Sequence, residues 1–326
     1  YIIMAAAVAA LYDPGWAQDR AWGGLVDLLI RDATSPLPAD PLFPFLRQFD
    51  PYEGHSWASG HANFWAGNNQ ESSSESMNYS TALILWGEAR RDPDIRDLGI
   101  YLHTTERAAI QQYWFDVDAQ NFAPGFPYPN VGMAWSGGGS YATWWTAAPE
   151  AIHAINYLPF NGGSLYLGLR ADNLRKNYAQ LIKSNGGRPE GADGTPDSWV
   201  DVVWEAQALF DAPAAAAKVD ARLDSYPVFP GETRAHAYHW IHSLEALGQV
   251  EPSVLGDIAT FAVFTKGGVR TYVAFNGGCA ALTVHFTDGT AFAVPAHGLV
   301  TYRNKAVVST SVLGDPRCTV TPARCP

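Results

Sequence analysis

Apolar residues in this chain first recur at helical spacing and then, past residue 250, alternate. Residues 1–12 are apolar almost throughout, which predicts a helix buried on every side. Asp13-Pro14-Gly15 predicts a turn, and residues 16–33 a second helix with Leu25, Leu28 and Leu29 on one face. Pro-rich residues 36–45 break it. Residues 46–70 lose periodicity and gather Gly, His, Trp and Asn; so long a loop inside a compact domain is usually functional. Helix returns over residues 71–91 and 94–116, divided by Asp92-Pro93. A Pro/Gly/Asn-rich loop spans 117–130, and a short hairpin is expected around Ser136-Gly137-Gly138-Gly139. Further helices are predicted over 149–157, 165–184, 199–211, 213–223 and 232–247, with Pro213 in a first-turn position and Gly248 as a C-terminal cap.

Residues 258–264, 269–275, 281–286, 291–294 and 299–302 then alternate like strands between Gly and Asp-Gly turns. Helix following helix with no βαβ alternation excludes doubly wound and TIM-barrel folds. The expected fold class is mainly α: an (α/α)6 toroid or barrel, incomplete at its N-terminus, with a short antiparallel β region near the C-terminus. The expected division is a helical catalytic domain over 1–250, a β region packed on it over 251–305, and a tail or linker over 306–326.

Composition narrows the partners. The chain has 326 residues and a formal charge of −11, from 21 basic and 32 acidic side chains. That balance argues against nucleic acid and against an anionic membrane surface, but not against a neutral polysaccharide. Twelve Trp and fifteen Tyr exceed what a core needs, and flat aromatic rings cover the apolar faces of sugars. No run approaches the roughly 20 apolar residues of a membrane span. Of the three cysteines, Cys318 and Cys325 are spaced to close a small loop and Cys279 is left over; a disulfide there favours secretion. The sequence carries no cysteine or histidine pair at metal-motif spacing. His236, His239 and His242, three apart, drift around a helix and lack an acid to complete a metal set, so neither metal nor cofactor is expected.

The chemistry concentrates in Asn69-Gln70-Glu71-Ser72-Ser73-Ser74-Glu75, shortly after Asp50-Pro51-Tyr52-Glu53-Gly54-His55-Ser56-Trp57. With a helix starting at Glu71, Glu71 and Glu75 share one face, their Cβ atoms about 5–6 Å apart. One reading is a solvated helix start with acids favoured by the macrodipole. The other is a polar cluster that holds carboxylates near sugar hydroxyls, since serine makes poor helix-surface filler.

These two segments, with Val131-Gly132-Met133-Ala134-Trp135, Ala142-Thr143-Trp144-Trp145 and Arg270-Thr271-Tyr272-Val273-Ala274-Phe275-Asn276, resemble glycoside hydrolase family 81, the endo-β-1,3-glucanases. The resemblance runs from Tyr1 to about residue 303. It implies an (α/α)6 barrel carrying the cleft and cleavage of internal β-1,3-glucosidic bonds with inversion. It places the general base at Glu71 and a second important glutamate at Glu75. The family's general acid is an aspartate in an Asn-Asp-His-His-Phe-His-Tyr-Gly-like segment, which stands just before the part that Tyr1 to Ala7 resembles. The acid is therefore expected upstream of Tyr1, and this chain alone is expected to show little hydrolysis.

Inversion needs an acid and a base roughly 6.5–9.5 Å apart on opposite faces of the sugar. Two glutamates on one helix face suit that poorly and suit a base with a neighbour that tunes it. Asp50 is the local alternative for an acid, against a plain role as a turn aspartate. Asp50, His55, Trp57, Gln70, Asn78, Tyr79, Trp135 and Trp144 are the expected substrate-binding residues, each weighed against ordinary packing. The partner is a β-1,3-glucan such as laminarin, curdlan or fungal cell-wall glucan, and the expected location is extracellular. A non-catalytic glucan-binding protein that keeps the cleft is the alternative, with a different specificity such as β-1,4 behind it, because such folds host many activities.

Overall fold

The computed structural model describes residues 1–58, 64–188 and 198–313. In chain order its helices are α1 (Ile2–Tyr12), α2 (Gly23–Thr34), α3 (Ser73–Arg90), α4 (Pro93–Tyr113), α5 (Pro149–Ala154), α6 (Ala171–Ser184), α7 (Val200–Arg222) and α8 (Arg234–Leu247), with a 3-10 turn at Gly162–Arg170. The strands are β1 (Phe49–Asp50), β2 (His55–Ser56), β3 (Asn69–Gln70), β4 (Met133–Trp135), β5 (Gly138–Ser140), β6 (Gln249–Val250), β7 (Phe261–Lys266), β8 (Val269–Asn276), β9 (Leu282–His285), β10 (Ala291–Val294), β11 (Gly298–Arg303) and β12 (Ala306–Val312). The chain divides into two compact units. The first takes Tyr1–Phe49, Asn78–Thr104 and Val250 onward; the second takes Asp50–Met77 and Thr105–Gln249. One boundary thus falls at 249/250, where the strand-rich segment begins.

In the first unit, Ile3, Ala6, Ala7 and Ala10 of α1 pack with Val26, Ile30, Leu83 and Trp86. Only that face of α1 is covered; Ile2, Val8 and Tyr12 are exposed, so the expectation of burial all round is corrected. In α2 the inward face is the opposite of the predicted one. Val26 and Ile30 are buried four residues apart, while Leu25, Leu28 and Leu29 are exposed. The helix starts at Gly23, not residue 16, and Asp27 turns inward to receive the Trp86 indole N–H at 2.8 Å and the Arg90 guanidinium at 2.9 Å.

Strands β12, β11, β8 and β7 lie side by side in that order, all antiparallel, and β9 pairs with β10. Val263, Ala274, Val284, Val294 and Val300 form their core with Tyr272, Phe286 and Phe292. The tail expected over 306–326 is corrected in its first part: Ala306–Val312 is β12, paired along β11. Cys318 and Cys325 lie outside the described residues. Cys279, expected to be left over, is disulfide-bonded.

The second unit is built on α5 to α8. Val202, Val203, Trp204 and Leu209 of α7 are buried together with Ala237, Ile241 and Leu244 of α8. The two helices predicted at 199–211 and 213–223 are one assigned element with a break. Asp211 leaves helical geometry (φ −153°, ψ 68°), its carboxylate accepts the Ala214 N–H at 3.3 Å, and Pro213 falls in the turn that restarts the helix. Thr233 caps α8 by accepting the His236 N–H at 3.1 Å, and Gly248 ends it at φ 100°. The predicted hairpin is β4–β5, with Trp135 opposite Gly138. Gly132 has to be glycine: a Cβ there would stand 2.3 Å from the Ala142 carbonyl oxygen.

Candidate active site

Strand β3 sets the start of the site. Asn69 pairs with Trp135 and Gln70 with Ala134, so β4 fixes the backbone immediately before Glu71. Two residues later α3 begins. Glu71 therefore lies in the bend between β3 and α3, not on the helix, and its expected helical alignment with Glu75 is corrected. Glu75 stands in the first turn of α3, where the macrodipole favours an acid.

The three serines do a different job from the one expected. Ser72, Ser73 and Ser74 are buried. Ser72 Oγ donates to the Ile155 carbonyl at 2.8 Å, and Ser74 Oγ donates to the carbonyls of Ile155 and Leu158. Both the N–H and the hydroxyl of Ser73 donate to Asn156 Oδ1, at 3.0 and 2.8 Å, and Asn156 Nδ2 donates to the Gly132 carbonyl at 2.9 Å. Helix N–H groups at a first turn lack intrahelical partners. Here Asn156 supplies one and ties it to the strand side of the site. The serines bolt the segment to the unit and leave the two glutamates half-buried at its surface.

Glu71 Oε1 accepts the backbone N–H of Trp144 at 2.8 Å. Partial burial raises its pKa, the Trp144 bond opposes that, and the nearby Glu75 charge adds to the rise. The Trp144 ring is exposed and lies 5.1 Å from Trp135 and 5.6 Å from Phe64, centroid to centroid. Trp135 is also part of the wall of a cavity of about 460 Å³, with His55, Trp57, Tyr113, Phe126 and Ser136. One aromatic surface thus leads from the backbone that holds Glu71 into a cavity of small-ligand size.

His55 is buried against Trp57 and Trp114, with ring centroids 4.4 and 5.0 Å away. Burial lowers its pKa and leaves a neutral ring, and its Nδ1 lies 2.8 Å from the Ser56 carbonyl, which assigns the proton to Nδ1 and makes Nε2 an acceptor. Asp50 is bound into its own turn. Its carboxylate accepts the N–H groups of Tyr52 and Glu53 at 2.9 and 3.3 Å and the Trp57 indole N–H at 3.3 Å. Burial works to raise its pKa, but those bonds prevail and hold it low, the setting of an ionised turn residue and not of a proton donor. Tyr79 falls in the first unit, where its hydroxyl meets Thr34 Oγ1 at 2.7 Å, and Asn78 is buried on α3. Both positions fall in the first unit and Glu71 in the second.

Two residues that the sequence pattern passed over stand out. Asn156 is the hub described above. Glu106, on α4, is buried with both carboxyl oxygens in contact with Ser56 and Ser76. Its signal was present: Leu102, Glu106, Ala109 and Ile110 form one buried stripe, and a glutamate within an apolar stripe marks a buried acid.

His236 has acidic company after all. Its Nδ1 lies 2.8 Å from Glu232 and 3.2 Å from the buried Glu205, and these three are the group among the described residues with metal-ligand spacing. Hydrogen bonds to Glu205 and Glu232 raise the His236 pKa to about 10, which accounts for the cluster without a metal ion. His242 pairs instead with Asp220 and Glu245.

Residues 1–240 match the glycosyl hydrolase family 81 C-terminal domain. The chain belongs to glycosyl hydrolase family 81. It is 44% identical over 301 residues to a glucan endo-1,3-beta-D-glucosidase of Thermobifida fusca, covering 92% of this chain and 39% of that protein. A glucan endo-1,3-beta-D-glucosidase of Acetivibrio thermocellus is also 44% identical, over 92% of this chain and 38% of its own length. The fold agrees with a solved family 81 structure from Clostridium thermocellum, a variant with one glutamate changed to alanine. The TM-score is 0.86 at 43% identity, over 92% of this chain and 40% of that one. The chain therefore spans about two fifths of the length of these family 81 relatives.

Proposed function

We propose that this chain carries the water-activating side of an endo-β-1,3-glucanase that inverts the anomeric centre, with Glu71 as general base. The relatives named as glucan endo-1,3-beta-D-glucosidases support the substrate class. The observation that carries the role is the setting of Glu71: half-buried, raised in pKa, oriented by one backbone N–H and bordered by an exposed tryptophan. A base must be ionised yet basic enough to take a proton from water. Glu75 tunes it through its charge. The general acid is assigned to the part of the relatives' length that these 326 residues do not span, since Asp50 is committed to its turn. The helical segments within 1–250 are assigned to an (α/α)6 toroid, the segment 251–305 to a β region that follows it in the chain, and the site of action to the outside of the cell, where β-1,3-glucan is met.

Glucan contact falls to Trp135, Trp144 and the cavity lined by His55 and Trp57, with Gln70 holding the strand below. Calorimetric titration of laminari-oligosaccharides into the chain tests this. Binding preferred over cello-oligosaccharides and weakened by Trp144→Ala supports the reading. Equal binding of both, or none, contradicts it. Strong laminarin hydrolysis by these 326 residues, abolished by Asp50→Asn, would move the acid to Asp50 and overturn the assignment made above.

A further inference from the structure

Glu106 is a buried carboxyl group that water activation at Glu71 does not use. Its Oε1 lies 2.7 Å from Ser56 Oγ, and its Oε2 lies 2.6 Å from Ser76 Oγ. The two serine oxygens are themselves 2.6 Å apart. Three oxygen–oxygen contacts close a ring, each at hydrogen-bond distance. Each contact needs one hydrogen, and the serines supply two. With an ionised Glu106 both serine hydrogens go to the carboxylate, and the Ser56–Ser76 contact is left with none. A hydrogen on Glu106 completes the ring. The Ser56 N–H donates to Oε1 at 2.8 Å, which marks Oε1 as the acceptor oxygen and puts the proton on Oε2. Oε2–H then donates to Ser76, Ser76 to Ser56, and Ser56 to Oε1. Gln70 Nε2 donates to Ser56 Oγ at 2.8 Å and takes its remaining lone pair.

We propose that Glu106 is held as a neutral carboxylic acid at neutral pH and serves as a positioning residue. Its ring clamps β2, β3 and α3 at Ser56, Gln70 and Ser76, and the last two bracket Glu71 and Glu75. The surroundings agree. Burial raises the Glu106 pKa against the bonds from Ser76 and Ser56, and among the described residues no cation contributes to its titration. Tyr166, in the 3-10 turn, is a titratable group within electrostatic reach of Glu106. His55 beside Ser56 is kept neutral by burial, Arg107 is the next residue on α4, and Glu75 beside Ser76 is a second acid.

The test is infrared difference spectroscopy of the folded chain at neutral pH, wild type minus Glu106→Gln. Subtraction removes any signal from other buried acids such as Glu205. The expected result is a positive band for the carbonyl stretch of a protonated carboxyl group. Gln mimics the neutral acid, donating through Nε2 and accepting through Oε1, so Glu106→Gln keeps the wild-type thermal midpoint while Glu106→Ala lowers it. A difference spectrum showing only carboxylate bands overturns the proposal, as does a Glu106→Gln midpoint as low as that of Glu106→Ala. Should Glu106→Gln not fold, the carbon chemical shift of the Glu106 carboxyl group in the wild type decides: a protonated value supports the ring and an ionised value sinks it. The ring is read without reference to any substrate, so its failure leaves the glucan reading standing.

Discussion

Glu71 lies between β3 and α3, and Glu106 is tied to β2 and α3 through Ser56 and Ser76, yet the two sit in opposite surroundings. Glu71 follows β3, half open, with a backbone N–H on one oxygen and a second acid in electrostatic reach. Glu106 touches β2 and the start of α3, sealed, with both oxygens engaged by serines. A carboxylate that takes protons from water needs access and a raised pKa, whereas a neutral carboxyl group saturated with hydrogen bonds is a strut. Glutamates of the second kind hold those of the first kind still.

The strongest way to break this contrast is to exchange the roles by mutation. Glu71→Gln should lower hydrolysis by about 10²–10⁴-fold, the usual contribution of a positioned general base, with little change in stability. Laminarin kinetics on the protein carrying its general acid, beside denaturant unfolding, checks both halves. Asn156→Ala should do the reverse first. It strips the partner from Ser73 and the Gly132 carbonyl, and unsatisfied buried groups cost about 1–3 kcal/mol each. Urea unfolding should show a loss of about 3 kcal/mol, and glucan affinity should fall with it.

Much of the contrast was legible in the chain itself. Alternation past residue 250, the β4–β5 hairpin, the Pro213 restart and the Gly248 cap follow from local chemistry that tertiary packing did not override. The inward face of α2 was not legible. Its leucines promised the core, but Val26, Ile30 and the polar Asp27 took it, because Asp27 serves Trp86 and Arg90 on a distant helix. The serines of residues 72–74 were visible as unusual, but their partners lie some 80 residues further along the chain, and no local pattern points to Asn156. Glu106 betrayed itself by falling in an apolar stripe, a signal easily lost among the helix's other acids.

Titration sharpens the comparison further. Because the Glu75 charge adds to the raised pKa of Glu71, Glu75→Gln should move the acid limb of the pH–rate profile to lower pH. An unmoved limb would disconnect the two acids. A third acid gives a control. Burial raises the Glu205 pKa to about 8, and His236 is raised to about 10. Both groups bind protons more tightly folded than unfolded. Their contribution is complete below the ordinary values of 4.5 for Glu and 6.5 for His and is lost as pH rises through about 8 and then about 10. Unfolding midpoints should therefore fall on the alkaline side, and Glu205→Gln should remove the earlier loss and bring the later one to lower pH, because Glu205 is the leading cause of the raised His236 pKa. Smallest of all is Asp50→Asn. An Asn side-chain oxygen still accepts the Tyr52 and Glu53 N–H groups but the Trp57 bond is lost, so stability should fall by about 1 kcal/mol and activity hardly at all.

The central claim is that Glu71 activates the water. Azide rescue tests it most directly, because azide is a nucleophile that needs no base. With laminarin as substrate and the general acid present, Glu71→Ala should lose hydrolysis and regain turnover in azide, yielding an α-glucosyl azide from the β-linked glucan. Rescue of Glu75→Ala in its place, or a Glu71→Ala protein that hydrolyses laminarin at the wild-type rate, would contradict the account.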